Sequence, residues 1–149
     1  MPNEQDKALK ILDKALEQVE QRIDRLKNPT PLNRLLSEAQ KAALHECLRG
    51  EEAVFFIEKL KEVQRIADHT PRTYQTEQSE AVKVATMHYF LNGWDWYLVE
   101  MDMQKELTQC FGLVKGYEKE LGYFSLPEIL KTGAELDLYW TPTPINEIK

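Results

Sequence analysis

The residues best suited to acid–base chemistry lie in the second half of the chain, around the dipeptide Asn92-Gly93. This dipeptide is a strong signal for a two-residue β-hairpin turn. The resulting register puts His88 and Asp95 diagonally across one face of the hairpin, where a carboxylate can orient an imidazole. A catalytic dyad also needs a nucleophile or a metal, and neither predicted strand contains a serine. We therefore expect a structural hydrogen bond or a surface pair.

Acidic residues near the same hairpin raise the alternative of a divalent metal. Carboxylate oxygens suit magnesium, calcium or manganese, and such a site would indicate a hydrolase or a nuclease. Their spacing matches no known metal-binding loop, so we expect solvated carboxylates and no cofactor. If this acidic region acts by binding a partner, the candidate contact residues are His88, Asp95, Tyr97, Glu100, Asp102, Glu120 and Asp137.

Charge and aromatic content argue against direct binding of nucleic acid by the second half. The net charge is -6, and residues 81–149 contain no arginine, the usual reader of phosphate and guanine. Exposed aromatics can stack on single-stranded bases, but such platforms need basic neighbours, and here the neighbours are acidic. Core packing or a protein-binding surface is the expected role of Trp94, Trp96, Tyr97, Tyr117, Tyr123, Phe124, Tyr139 and Trp140.

Length and composition indicate one globular domain, with or without a helical extension. The 149 residues are 42% hydrophobic and 30% charged. No window is apolar enough to cross a membrane, and the first residues lack the features of a secretory signal. Cys47 and Cys110 fit neither a disulfide framework nor a metal motif, so we expect a cytoplasmic protein.

The first 70 residues should be helical. Leucine, isoleucine and valine recur every three or four positions over residues 9–26, which predicts a helix from Glu4 to Lys27 that ends at the prolines 29 and 31. We expect this apolar seam to pack within the chain, with homodimerisation through residues 9–26 as the alternative.

Two further helices are predicted, one capped by Ser37 and one running from Glu51 to Ala67 after Gly50. The expected buried side of the second helix is Ala43, Leu44, Cys47 and Leu48. That of the third helix is Val54, Phe56, Ile57, Leu60, Val63 and Ile66, with Phe55 docking on the second half.

A polar connection over residues 71–81 should lead into an antiparallel β domain at 82–149, in the order β-β-β-β-α-β. Its predicted strands are 82–90, 94–101, 108–114, 121–124 and 134–140, and Ser125 should cap the one short helix. The two-residue turn pairs Tyr89 with Trp96 on the face expected to be core, and His88 with Tyr97 on the other. The predicted fold class is α+β.

Three segments of this domain resemble a family of uncharacterised domains, numbered 2958 among the domains of unknown function. They are His88–Tyr97 (HYFLNGWDWY), Gly122–Glu128 (GYFSLPE) and Glu135–Pro142 (ELDLYWTP). Plasmids, phages and conjugative elements carry this family. The resemblance implies a small β domain from a mobile element, often found near DNA-modifying or antirestriction functions, and it brings no catalytic residues.

The resemblance and the acidic charge together favour a non-enzymatic interaction module. We expect it to inhibit a host defence system of the CRISPR or restriction type by covering a basic surface that otherwise binds nucleic acid. The alternatives are a metal-dependent hydrolase or nuclease, using some of His88, Asp95, Glu100, Asp102 and Asp137, and a homodimerising accessory protein.

Overall fold

The computed structural model of the chain describes residues 4–13, 16, 30–76, 82–103 and 108–149. Helices come first and are followed by an antiparallel sheet, which confirms the predicted α+β fold class. Within these ranges no helix has the length and apolar character that crossing a membrane requires.

The first helix, α1, is described over residues 4–13, and residue 16 is also helical. Leu9, Leu12 and Leu16 on its apolar seam are each more than half exposed. The expectation that this seam packs within the chain is therefore wrong at these three positions. The remainder of the seam, residues 17–26, and the predicted helix end near residue 29 lie outside the described residues.

Helix α2 (Glu38–Cys47) follows a short 3-10 turn and begins as predicted, because the Ser37 hydroxyl accepts a hydrogen bond from the Gln40 N–H. The Gln40 side-chain amide also makes two hydrogen bonds to the Leu136 backbone, at 2.8 and 2.9 Å. These bonds turn the Gln40–Leu44 side of the helix toward the sheet. Ala43 and Leu48, expected in the core, are consequently exposed.

Helix α3 (Ala53–His69) packs on the sheet through its second half, where Val63 and Ala67 are buried. Val54 and Ile57, which were predicted to be buried, are exposed. The Phe55 ring lies 6.4 Å from that of Tyr139, so it meets the β half as expected, although it stays partly exposed.

Within the described residues, the β half contains seven strands, one α-helix and a final 3-10 turn (Ile145–Glu147). They are β1 (Val84–Ala85), β2 (Met87–Leu91), β3 (Trp94–Met103), β4 (Thr108–Lys115), β5 (Lys119–Ser125), α4 (Leu126–Lys131), β6 (Glu135–Leu136) and β7 (Thr143–Pro144). Five strands form an antiparallel sheet in the order β5-β4-β3-β2-β6, and β1 pairs with β7 in a separate two-stranded ladder. The Ser125 hydroxyl caps α4, as predicted.

The β2–β3 hairpin has the predicted register. Leu91 faces Trp94, Tyr89 faces Trp96 and His88 faces Tyr97. Asn92 and Gly93 have φ values of 47° and 86°, the left-handed conformation that a tight hairpin turn of this kind requires at both positions.

Two predicted strands differ from the structure. The first breaks at Thr86, so β1 leaves the main sheet and pairs with β7. The last predicted strand, residues 134–140, is reduced to β6, because the chain turns at Asp137, whose carboxylate accepts a hydrogen bond from the Tyr139 N–H. Pro144 was expected beyond the last strand but lies in β7, opposite Val84. The order is therefore β-β-β-β-β-α-β-β.

Both faces of the sheet carry an apolar cluster. The larger cluster lies on the face expected to be core, where the helices pack against Met87, Tyr89 and Leu98. The smaller cluster lies on the opposite face, where the C-terminal segment covers the sheet. It consists of Ala85, Tyr97, Leu113 and Ile148, with Trp140 and Ile145 packed against it.

Candidate functional site

His88 lies between two carboxylates. Its Nε2 is 2.7 Å from Asp95 Oδ1, and its Nδ1 is 3.0 Å from Asp137 Oδ2. Asp95 comes from across the hairpin, as the register predicted, whereas Asp137 comes from the turn after β6. Both ring nitrogens are thus within hydrogen-bonding distance of a carboxylate oxygen.

Aromatic rings enclose the imidazole. The Tyr97 ring stacks on it, with the centroids 4.6 Å apart and the planes 8° apart. This contact follows from the β2–β3 register, in which His88 and Tyr97 are direct cross-strand neighbours. The Trp140 ring lies 5.1 Å from the imidazole, and its indole N–H donates to the Ala85 carbonyl. The imidazole is thus held by packing as well as by hydrogen bonds.

The phenol of Tyr97 has an altered acidity. Burial raises its pKa, and the negative charges of Asp95 and Asp137 raise the pKa further. The phenol therefore keeps its proton at neutral pH, which makes it a hydrogen-bond donor rather than a nucleophile.

The outer side of this cluster is an acidic–aromatic surface, formed by Phe90, Asp95, Glu135 and Asp137. The side chains of Asp95 and Asp137 are 26% and 27% exposed, while that of the enclosed imidazole is 12% exposed. Phe90 and Glu135 are exposed and face each other in the β2–β6 pair. Lys115 lies opposite Asp95 in the β3–β4 register, and its Nζ donates to the Lys149 carbonyl.

This arrangement favours a fixed surface over acid–base catalysis. Both nitrogens of His88 are engaged by carboxylates, so neither presents a lone pair to a substrate. In the part of the chain that the structure describes, no group of three or more His, Cys, Asp or Glu side chains is arranged to hold a metal ion.

Two of the predicted acidic residues lie at the other end of β3. Glu100 is only 2% exposed, and its carboxylate accepts hydrogen bonds from the backbone N–H groups of Tyr74 and Thr76, at 2.9 and 2.8 Å. Asp102 accepts from the backbone N–H and the hydroxyl of Thr73. The expectation of a solvated carboxylate is wrong for Glu100. Both groups hold the connecting loop, residues 71–76, against the sheet.

Of the seven candidate contact residues, the structure brings four together and separates three. His88, Asp95, Tyr97 and Asp137 form the cluster. Glu100 and Asp102 lie under the connecting loop, and Glu120 is exposed on β5, which is separated from β2 by two strands.

Trp140 was missed as part of this site. The alternating pattern over residues 134–140 assigned it to a strand, whereas in the structure it follows a turn and packs on His88. Phe90 could have been found, because the hairpin register already places it on the same face as His88.

Comparison of the chain with family models, with curated proteins and with solved structures finds no match. The resemblance to the 2958 family stays a prediction.

Proposed function

We propose that this protein is a non-enzymatic interaction module that binds a basic surface of another protein through its acidic–aromatic surface. The observation that carries the proposal is the double engagement of His88, which holds Asp95 on the β2–β3 hairpin and Asp137 in the turn after β6. Carboxylates that are already ordered lose little side-chain entropy on binding, so more of the contact energy remains as affinity.

The chemistry of this surface suits arginine in particular. A carboxylate can accept two parallel hydrogen bonds from a guanidinium group, and an adjacent aromatic ring can receive the same cation on its face. Asp95 and Phe90 are direct neighbours across the hairpin, and Glu135 lies opposite Phe90 on the other side. The net charge of -6 adds long-range attraction for a basic partner.

We place this activity in the cytoplasm of a cell that carries a mobile element, on the strength of the family resemblance. The proposed partner is the basic, nucleic-acid-binding surface of a host defence complex of the CRISPR or restriction type. By covering that surface the protein would exclude the nucleic acid, because both compete for the same positive charges.

Substitutions on the acidic–aromatic surface test this proposal in cells. Plasmid transformation and phage plating are measured in hosts with an active CRISPR or restriction system, with and without the protein. We expect Glu135→Lys and Phe90→Ala each to reduce protection by about tenfold, because each removes a contact at the centre of the surface. Glu46→Lys is the matched control, since Glu46 is exposed on α2, outside the acidic–aromatic surface.

Two results would contradict the proposal. One is a wild-type protein that gives no protection in any of these hosts and inhibits no purified defence nuclease. The other is equal protection by the Glu135→Lys, Phe90→Ala and Glu46→Lys variants, which would place the active surface elsewhere.

A second proposal concerns self-association through residues 9–26. The exposure of Leu9, Leu12 and Leu16 along one seam supports it, since pairing with a second copy would remove these side chains from water. We expect Leu9→Glu with Leu12→Glu to lower the mass measured by light scattering. A wild-type mass of 17.4 kDa at high concentration would reject residues 9–26 as a dimer contact.

A further inference from the structure

Strand β5 lies at the end of the five-stranded sheet. Within the described residues its strand neighbour is β4, on one side only. An edge strand of seven residues presents backbone N–H and C=O groups that an additional strand can pair with. The ligand that suits such an edge is therefore another segment of extended backbone.

The hydrogen bonds of β3 determine which way these groups point. The Leu98 carbonyl accepts from the Thr86 N–H and so points toward β2. In antiparallel ladders, facing residues either both point toward each other or both point away. Gly112, opposite Leu98, therefore points toward β5, and its partner Gly122 points back toward β4. The neighbouring Leu121 then directs its N–H and C=O to the open edge.

The side chains at this edge form an apolar patch on the face of the sheet opposite the helices. The patch consists of Tyr74, Phe111, Leu121 and Tyr123. Leu121 and Tyr123 are 47% and 48% exposed, and the Tyr123 ring lies 5.0 Å from Phe111 and 5.9 Å from Tyr74. A contiguous group of this kind beside an edge strand is typical of a contact surface.

The connecting loop is built to extend this patch. Tyr74 has a φ of 70°, a left-handed conformation that a bulky residue rarely adopts. The buried Glu100 carboxylate holds it there by accepting its backbone N–H, and the Tyr74 ring is consequently placed on Tyr123 while 60% exposed. Backbone strain maintained for an exposed ring points to a role for that ring in binding.

We propose that the occupant of this edge is β5 of a second copy of the chain, paired antiparallel about a two-fold axis at Gly122. Gly122 is the midpoint of Lys119–Ser125, so this register pairs the whole strand with itself. Leu121 of one copy then faces Tyr123 of the other, and the two apolar patches become continuous across the axis.

Charge and shape are consistent with this register. Lys119 would face Ser125 and Glu120 would face Phe124, so no like charges lie directly opposite. The two Gly122 residues meet at the axis, where a pair without mutual hydrogen bonds approaches most closely, and the space beside Gly122 is open. Helix α4 leads from β5 to β6 at the other end of the sheet order, and so away from the pairing edge.

Amide hydrogen exchange of the wild-type protein tests the pairing directly. A seven-residue strand pair is smaller than a standard interface, so we expect a dissociation constant on the order of 10–100 µM. Between about 0.01 and 1 mM protein, exchange of the Leu121 amide should slow by about fivefold, because only the unpaired chain exposes it. The Gly122 amide, which points to β4, is the internal control and should be protected at both concentrations.

Light scattering of matched variants gives the second measurement. To remove association through residues 9–26, every chain in this measurement carries Leu9→Glu and Leu12→Glu, and this double variant should approach twice 17.4 kDa at the higher concentration. Adding Leu121→Lys should hold this double variant at one chain mass, since it puts two lysines diagonally across the axis. Adding Val54→Lys, on the exposed start of α3, should leave the mass of the double variant unchanged. The Leu9→Glu, Leu12→Glu double variant should keep the concentration-dependent protection of the Leu121 amide. This result separates the β5 contact from association through residues 9–26.

A protein that stays at one chain mass at about 1 mM would overturn the proposal. A dimer whose Leu121 amide exchanges at the same rate at both concentrations would overturn it as well, by placing the interface elsewhere. Because the exchange measurement uses wild type, the proposal remains testable even if Leu121→Lys fails to fold.

Discussion

Replacing Glu100 by glutamine should destabilise the connecting loop strongly. One carboxylate oxygen of Glu100 accepts the Tyr74 N–H, and the other accepts both the N–H and the hydroxyl of Thr76. In Glu100→Gln one of these oxygens becomes an NH₂ group, which cannot accept. At least one of these partly buried donors then loses its acceptor, and the bonds that remain become neutral.

The size of the effect follows from these contacts. A partly buried donor left without a partner costs about 1 kcal/mol, the low end of the range for buried donors, and each charged hydrogen bond that becomes neutral loses about 1 kcal/mol. We expect Glu100→Gln to lower the free energy of unfolding by about 3 kcal/mol, which for a chain of this length lowers Tm by roughly 9 °C.

Urea unfolding and amide exchange together measure this loss. Glu120→Gln is the matched control, because it makes the same change in charge and shape at an exposed position and should alter stability by less than about 0.5 kcal/mol. If the loop detaches before the domain unfolds, the amides of Tyr74 and Thr76 will exchange faster in Glu100→Gln even where the urea midpoint changes less.

The reasoning is refuted if Glu100→Gln matches Glu120→Gln in stability and its Tyr74 amide exchanges at the wild-type rate. The carboxylate would then not be what holds the loop, and the argument that the Tyr74 ring is positioned for binding would lose its basis.

Three further outcomes are expected. Gly112→Ala should cost about 3 kcal/mol in urea unfolding, because its Cβ would overlap the carbonyl of Tyr97. A chromogenic thiol reagent should modify the half-buried Cys47 but not Cys110, which is fully buried and whose pKa is raised by that burial and by a nearby negative charge. Stability should fall above about pH 10, because burial raises the pKa of Tyr89 and Tyr97, so the unfolded chain releases these protons first.

Each of these outcomes has a control. Gly122→Ala tests the same change in an open space, and an equal loss at both glycines would contradict the steric argument. Both thiols should react in denaturant, whereas reaction of both in the native protein would be inconsistent with a buried Cys110. A urea midpoint that stays constant from about pH 9 to about pH 11 would show that the phenols titrate alike in the folded and unfolded chains.

Local features of this fold could be predicted from the sequence alone. The hairpin register at Asn92-Gly93, the cap at Ser37 and the cap at Ser125 are all confirmed. Each depends on residues within a few positions of one another, and the alternation of side chains on a strand follows directly from its geometry. The diagonal contact between His88 and Asp95 is of this local kind, so half of the candidate site was visible in the sequence.

The other half depended on how distant segments return to the sheet. Asp137 and Trp140 contact His88 from about fifty positions away in the sequence. They do so through a turn that the alternating sequence pattern had predicted to be a strand. The burial of Glu100 could not be predicted from the sequence either, because it requires the connecting loop to fold back over β3. Alternation and turn signals act over neighbouring residues, whereas these contacts are selected by the packing of the whole chain. The sequence by itself therefore determined the hairpin and its two faces, and only the tertiary structure decided what covers each face.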